Sequence, residues 1–183
     1  MLTITLLWLP ILLSAVAVWI VSALVWTVMP HHKSDYAAFT DEDKARAAIK
    51  EQNLKPGLYS MPFAGSQDMN SPEVKQKWIE GPVAFVTVLP NGLAMGKKLI
   101  LSFIQNVIVA ILIAYIATFT LTADSHYMEV FRLVFIVTWL AYGAAFVQDA
   151  VWFGRGWSVI VKFFFDALLY ASVTAGIFGW LWV

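Results

Sequence analysis

The sequence predicts an all-α membrane protein: four transmembrane helices in a bundle, with a small α/β soluble insert between the first and second. Three observations carry this. Of 183 residues, 60% are hydrophobic and only 13% charged, and mean hydropathy is +0.72, whereas soluble domains carry about 25% charged residues. Four apolar runs are each long enough to cross a hydrocarbon core of about 30 Å. Between the first two lies a polar stretch, 31–98, with nine of the twelve Lys/Arg and eight of the twelve Asp/Glu. The expected organisation is therefore a first membrane helix within 1–30, an insert over 31–98, and three further spans within 99–183.

The first run, Leu2 to Met29, has no Lys or Arg before it and greatly exceeds a signal-peptide core of about 7 to 15 residues, so a retained helix is expected rather than a signal cleaved near Ser22. As one helix it would measure about 42 Å, too long for the core without tilt or a break. Pro10 marks an interfacial lead-in, which leaves 9–28 as the spanning part, with Trp8 and Trp26 at the two headgroup levels.

In the insert, Thr40 followed by Asp41, Glu42 and Asp43 reads as an N-cap and an acidic first turn, and the NLKPG run from Asn53 to Gly57 stops that helix. Ser71-Pro72-Glu73 starts a second helix, which Gly81-Pro82 ends. A strand is expected after each helix, over 58–63 and 83–89, the latter a β-branched run closed by Pro90-Asn91-Gly92. An α-β-α-β unit of this size has little core of its own, and a seat against the membrane face is expected.

The remaining spans are expected near 99–121, 130–147 and 157–182, with the 149–156 segment as a turn. Four spans put both termini on one side. Eleven of the twelve Lys/Arg lie on the insert's side, leaving Arg132 alone opposite. The positive-inside rule then predicts a cytoplasmic insert and both termini outside.

Small and polar residues recur every fourth position on the second span: Ser102, Asn106, Ala110, Ala114, Thr118 and Thr122. The fourth span repeats this with Ala167, Ala171, Ala175 and Gly179, and Ala141 and Ala145 make a shorter version on the third. Such stripes let backbones approach where lipid removes the hydrophobic drive between helices, so helix packing is predicted there.

Intramembrane polarity gathers toward the insert. Counting about 1.5 Å per residue puts Asn106 roughly 10 Å deep, Lys162 roughly 8 Å and Asp166 roughly 14 Å. Gln148 and Asp149 close the third span at the same level, with Arg155 in the turn beyond, and His31 and His32 follow the first. A polar or ion cluster of Asn106, Lys162, Asp166, Gln148, Asp149 and Arg155 is one expectation. The structural one has Lys162 snorkelling while pairing with Asp166 at i, i+4, and Asp149 with Arg155 clamping the turn. Across the membrane, Glu129 and Arg132 are expected to pair.

No metal and no cofactor is expected: His31, His32 and Asp35 are ligand types, but adjacent histidines should point apart and no second cluster follows at metal-site spacing. The absence of cysteine excludes disulfides, thiolate metal sites and cysteine nucleophiles. Zero net charge without a basic tract argues against nucleic acid. No nucleophile elbow, P-loop, dinucleotide fingerprint or HExxH occurs, so catalysis is not expected.

The phrases MPHHKSD, residues 29–35, and QDAVWFGRGWS, residues 148–158, resemble a family of small bacterial membrane proteins to which no activity is assigned. The resemblance implies a membrane location and transfers no catalytic residue. The leading functional expectation is a non-catalytic accessory or assembly subunit of a larger bacterial membrane complex, its partners being the bilayer and other subunits or further copies of itself. The alternative is a small oligomeric transporter or channel built on the cluster around Asp166. A third class is a membrane enzyme approaching a lipid or quinone through His31, His32 or Asp35.

Overall fold

The computed structural model describes residues 2–65, 70–92 and 94–183. They fall into two compact units, one made of Met1–Tyr36 with Ala94–Val183, the other of Ala37–Leu93. The smaller unit thus lies inside the expected 31–98 stretch, and His31 to Tyr36 belong with the membrane helices.

The larger unit begins with a 3-10 turn, Ile4–Leu7, that runs into helix α1, Trp8–Thr27. Pro10 stands in the first turn of α1, where a missing N–H leaves no hydrogen bond unmade, so the lead-in is continuous with the helix. Pro30 then opens a second 3-10 turn, Pro30–Ser34.

In the smaller unit, helix α2, Glu42–Glu51, is capped by Asp41, whose carboxylate accepts from the Lys44 N–H at 3.0 Å. The cap is therefore one residue later than Thr40: a carboxylate both bonds the free N–H and complements the helix dipole. Lys44 and burial act oppositely on Asp41, and the hydrogen bonds from Lys44 win, holding its carboxyl below the usual value. Strand β1, Gly57–Met61, and helix α3, Pro72–Glu80, capped by Ser71, follow. Strand β2, Ala84–Val88, pairs antiparallel with β1 in the register Leu58 with Thr87 and Ser60 with Phe85. No described residue of this unit is fully buried, as expected for two strands and two short helices.

The larger unit resumes with α4, Met95–Thr120, then α5, Tyr127–Trp139, a π-helical turn Leu140–Ala144, α6, Phe146–Phe153, and α7, Trp157–Trp180. Four helical stretches are long and apolar enough to cross a membrane: Ile4–Thr27, Met95–Thr120, Tyr127–Phe153 and Trp157–Trp180. The chain has the helix content of a multi-pass membrane protein.

The third stretch departs most from expectation. It does not stop at Val147; it passes through the π turn and α6 to a left-handed Gly154, where the Arg155 N–H reaches back to the Asp149 carbonyl. Gln148 and Asp149 thus sit on a helix rather than in a turn. At its start, Glu129 closes a capping box by accepting the His126 N–H at 3.1 Å, so the expected Glu129–Arg132 ion pair gives way to a cap.

α1 packs on α4 and α7, and α5 packs on the same two, which closes a ring of four. Ala110, Ala114, Ala167, Ala171 and Ala175 are all buried in it. A Cβ on Gly179 would stand 2.7 Å from the Tyr127 ring, so only hydrogen permits that approach. On the third span the expected packing pair is displaced: Ala141 and Ala145 are exposed while Gly143 is buried against Phe164 and Ala167. The π turn is the cause, because its extra residue rotates the face that meets α7.

Two halves follow. Toward the terminal end, Leu7, Ile11, Ile113, Val130, Val134 and Phe178 make a dry apolar layer with the alanines. Toward the other end, polar groups enter the core.

Candidate functional site

The site starts with Pro30. Following an extended Met29, it stops α1 and seeds the 3-10 turn. At three residues per turn, positions i and i+3 eclipse, so His32 and Asp35 share a side, and their separation along the axis is about 6 Å. On α7, Lys162 and Asp166 are i and i+4, also one face and also about 6 Å apart. The two pairs match rung for rung. His32 Nε2 lies 2.7 Å from Asp166 Oδ2, and Lys162 Nζ donates to Asp35 Oδ1 at 2.6 Å and to Ser34 Oγ at 2.8 Å. His32 Nδ1 approaches Asp35 Oδ2 at 2.6 Å, closing the ladder, and His31 Nε2 takes the remaining Asp166 oxygen at 2.9 Å.

Two expectations are corrected here. Lys162 and Asp166 do not pair with each other; each bonds across to the turn, because a partner on the facing element satisfies each charge with shorter, better-aimed bonds. The adjacent histidines do not point apart. Their rings lie 4.1 Å centre to centre, since two long side chains converge on the two oxygens of one carboxylate.

The surroundings are dry. The Trp26 indole stacks on His32 at 4.0 Å with 3° between planes, and Phe163 closes in at 5.6 Å. Asp166 is 4% exposed and His32 8%. Burial pushes the Asp35 carboxyl up, but the hydrogen bonds and charges of Lys162 and His32 outweigh it and hold it below the usual carboxylate value. Asp35 is therefore an anion at neutral pH.

His32 stands between two carboxylates. A neutral imidazole has one N–H, so it can donate to Asp35 or to Asp166 but not to both. The other contact then sets a nitrogen lone pair against a carboxylate oxygen. A proton on the imidazole, a proton on the carboxylate or a metal ion at Nε2 would each relieve that contact.

Beside this network is a cleft of about 300 Å³, to which all four spanning stretches contribute. Trp26, Tyr142, Phe146, Phe163 and Tyr170 give it aromatic walls, and Asn106, Gln105 and Asp166 give it polar groups. The Tyr142 hydroxyl donates to Asn106 Oδ1 at 3.0 Å, yet Asn106 Nδ2 is buried with no hydrogen-bond partner. An unsatisfied buried amide of this kind costs about 1–3 kcal/mol.

Asn106 and Asp166 both line this cavity, while Lys162 serves Asp35 instead. Gln148, Asp149 and Arg155 are not brought into it. Gln148 accepts from Trp152 Nε1 at 3.0 Å, and Asp149 pairs with Arg155 at 3.3 Å. The guanidinium of Arg155 stands over Phe163, 5.6 Å from the ring centre. Ser34, Tyr142 and the role of Asp35 escaped the sequence reading, although the MPHHKSD run carries the first and last of these side by side. Comparison with protein-family models, with curated proteins and with solved structures finds no match.

Proposed function

We propose that this is a membrane-embedded binding protein, which holds a small, largely apolar molecule with a carbonyl-type acceptor in the cleft among its four helices. The observation that carries this is Asn106, which lines an aromatic-walled cavity and whose buried amide nitrogen has no hydrogen-bond partner. Such cavities, mostly apolar with a few placed polar groups, are the usual form of small-molecule sites, and about 300 Å³ is at the small end of their range. A ligand oxygen at Asn106 would recover the missing hydrogen bond.

Two other roles have weaker support. A conducting path would have to cross the apolar layer of Leu7, Ile113, Val130, Val134 and Phe178, beyond which the buried polar groups of the core include the hydroxyls of Ser14, Thr138 and Thr174. The accessory-subunit reading rests on short length, many tryptophans and the absence of catalytic motifs, and the stripe residues Ala110, Ala114, Ala167, Ala171 and Ala175 are buried within this chain, which leaves them unavailable to a partner. For location we propose a bacterial inner membrane with the insert cytoplasmic and both termini outside, supported by eleven of the twelve Lys/Arg on the insert's side.

Benzophenone is a suitable probe: a lipid-soluble aromatic ketone whose triplet state inserts into nearby C–H bonds. Irradiated with the protein in bilayers, it should label Val18, Ala141 and Ala145 in the cleft, and Asn106→Leu should reduce that labelling about tenfold, the worth of one good hydrogen bond. Labelling spread evenly over lipid-facing residues and indifferent to Asn106 would overturn the proposal.

A further inference from the structure

The three groups around the His32 contact form a recognisable donor set. One ring nitrogen each of His31 and His32 and an Asp166 oxygen all lie within 4.8 Å of one another, with His32 and Asp166 buried and His31 half-buried. They come from two elements, the Pro30–Ser34 turn and α7, that packing holds together independently of any ion.

From this convergence we infer that His31, His32 and Asp166 form a binding site for a divalent first-row transition metal such as Zn²⁺ or Fe²⁺. Two imidazoles and a carboxylate suit these ions, whereas the softer thiolate-preferring ions find no cysteine anywhere in the chain. Metal–ligand distances of about 2.0–2.2 Å separate tetrahedral ligand atoms by roughly 3.5 Å. The present gaps of 2.9 and 2.7 Å to Asp166 open to that value by slight rotation of the imidazoles.

The outer groups are arranged as metal sites arrange them. A metal-binding histidine characteristically donates its second ring nitrogen to a carboxylate, which fixes the tautomer and raises its basicity. His32 does this through Nδ1 to Asp35 at 2.6 Å, and Asp35 is itself held by Lys162 and Ser34. With Nδ1–H committed to Asp35, the Nε2 lone pair faces Asp166, where a metal ion turns a repulsive contact into two coordinate bonds. Three protein ligands leave further coordination positions open, the pattern of sites that exchange or activate a ligand rather than of closed structural ones.

The test uses the full-length protein in mild detergent, stripped with a chelator and titrated with Co²⁺, then with Zn²⁺. One Co²⁺ per chain is expected, with visible d–d absorption that Zn²⁺ abolishes. His31→Gln and His32→Gln should each lower affinity at least about 100-fold, while Asp35→Asn should lower it about 10- to 100-fold with the stoichiometry intact. Asn106→Leu should leave the titration unchanged, so this site and the cleft ligand stand or fall separately. Wild-type protein that binds no Co²⁺ at several-fold excess would overturn the inference, whatever the variants do. Full-strength binding by both histidine variants would overturn it equally.

Discussion

Asp166 is a carboxylate 4% exposed on a helix fit for lipid, and its two oxygens face two imidazoles. Intramembrane acids are rare and almost always paired; this one is paired twice, which exceeds what charge compensation needs. Lys162 compensates Asp35 instead, and the consequences differ. Removing one partner of a buried pair leaves the other as an uncompensated charge, a loss of about 3–5 kcal/mol. Lys162→Met is therefore expected to destabilise the protein by about 3 kcal/mol in thermal or denaturant unfolding, by stranding the Asp35 anion. Arg155→Ala, which breaks a half-exposed pair, should change stability by less than about 1 kcal/mol. Equal effects of the two would show that the Asp35–Lys162 contact is not buried in the folded protein.

At the scale of elements, the site exists because two different helices have commensurate rungs. Three residues of 3-10 helix and four of α-helix both advance about 6 Å, so the turn after α1 can present two partners to two residues of α7. This explains what was legible in the sequence and what was not. The four apolar stretches and the buried stripes of Ala110, Ala114, Ala167, Ala171 and Ala175 follow from composition and from a period of four, both of which survive in any membrane helix. Counting along the helices put Asn106 and Asp166 toward the same end of the bundle, and both line one cavity. The true partners of Asp166 were not legible, since an i, i+4 rule sees only one helix, whereas His31 and His32 approach from another element across 134 or more positions. The third span was misread for a related reason. Gln148 and Asp149 look like a boundary to a hydropathy count, yet a helix end tolerates both, and nothing in LAYGA announces a π turn. That turn nevertheless directs Tyr142 to Asn106 and Gly143 to Ala167, so it shapes both the cleft and the packing of α5 on α7.

At the scale of the molecule, the ring of four helices is divided into a dry apolar half and a half that admits a cleft and a charge network. The lack of cysteine makes the proposed orientation simple to test. With single cysteines at Lys50 and Ser125, a membrane-impermeant maleimide added to intact cells should label only the second, which shares a side with the termini. Labelling of Lys50→Cys alone would reverse the topology. The charge network is the feature on which the larger account depends, and a double-mutant cycle on the folded protein measures it directly. His32→Ala and Asp166→Ala should show a coupling energy of about 1–3 kcal/mol, larger than that of Lys162→Ala with Asp166→Ala, which are linked only through Asp35 and His32. The opposite pattern, with Lys162 coupled to Asp166 and His32 independent of it, would contradict the account and return Asp166 to an ordinary ion pair within one helix.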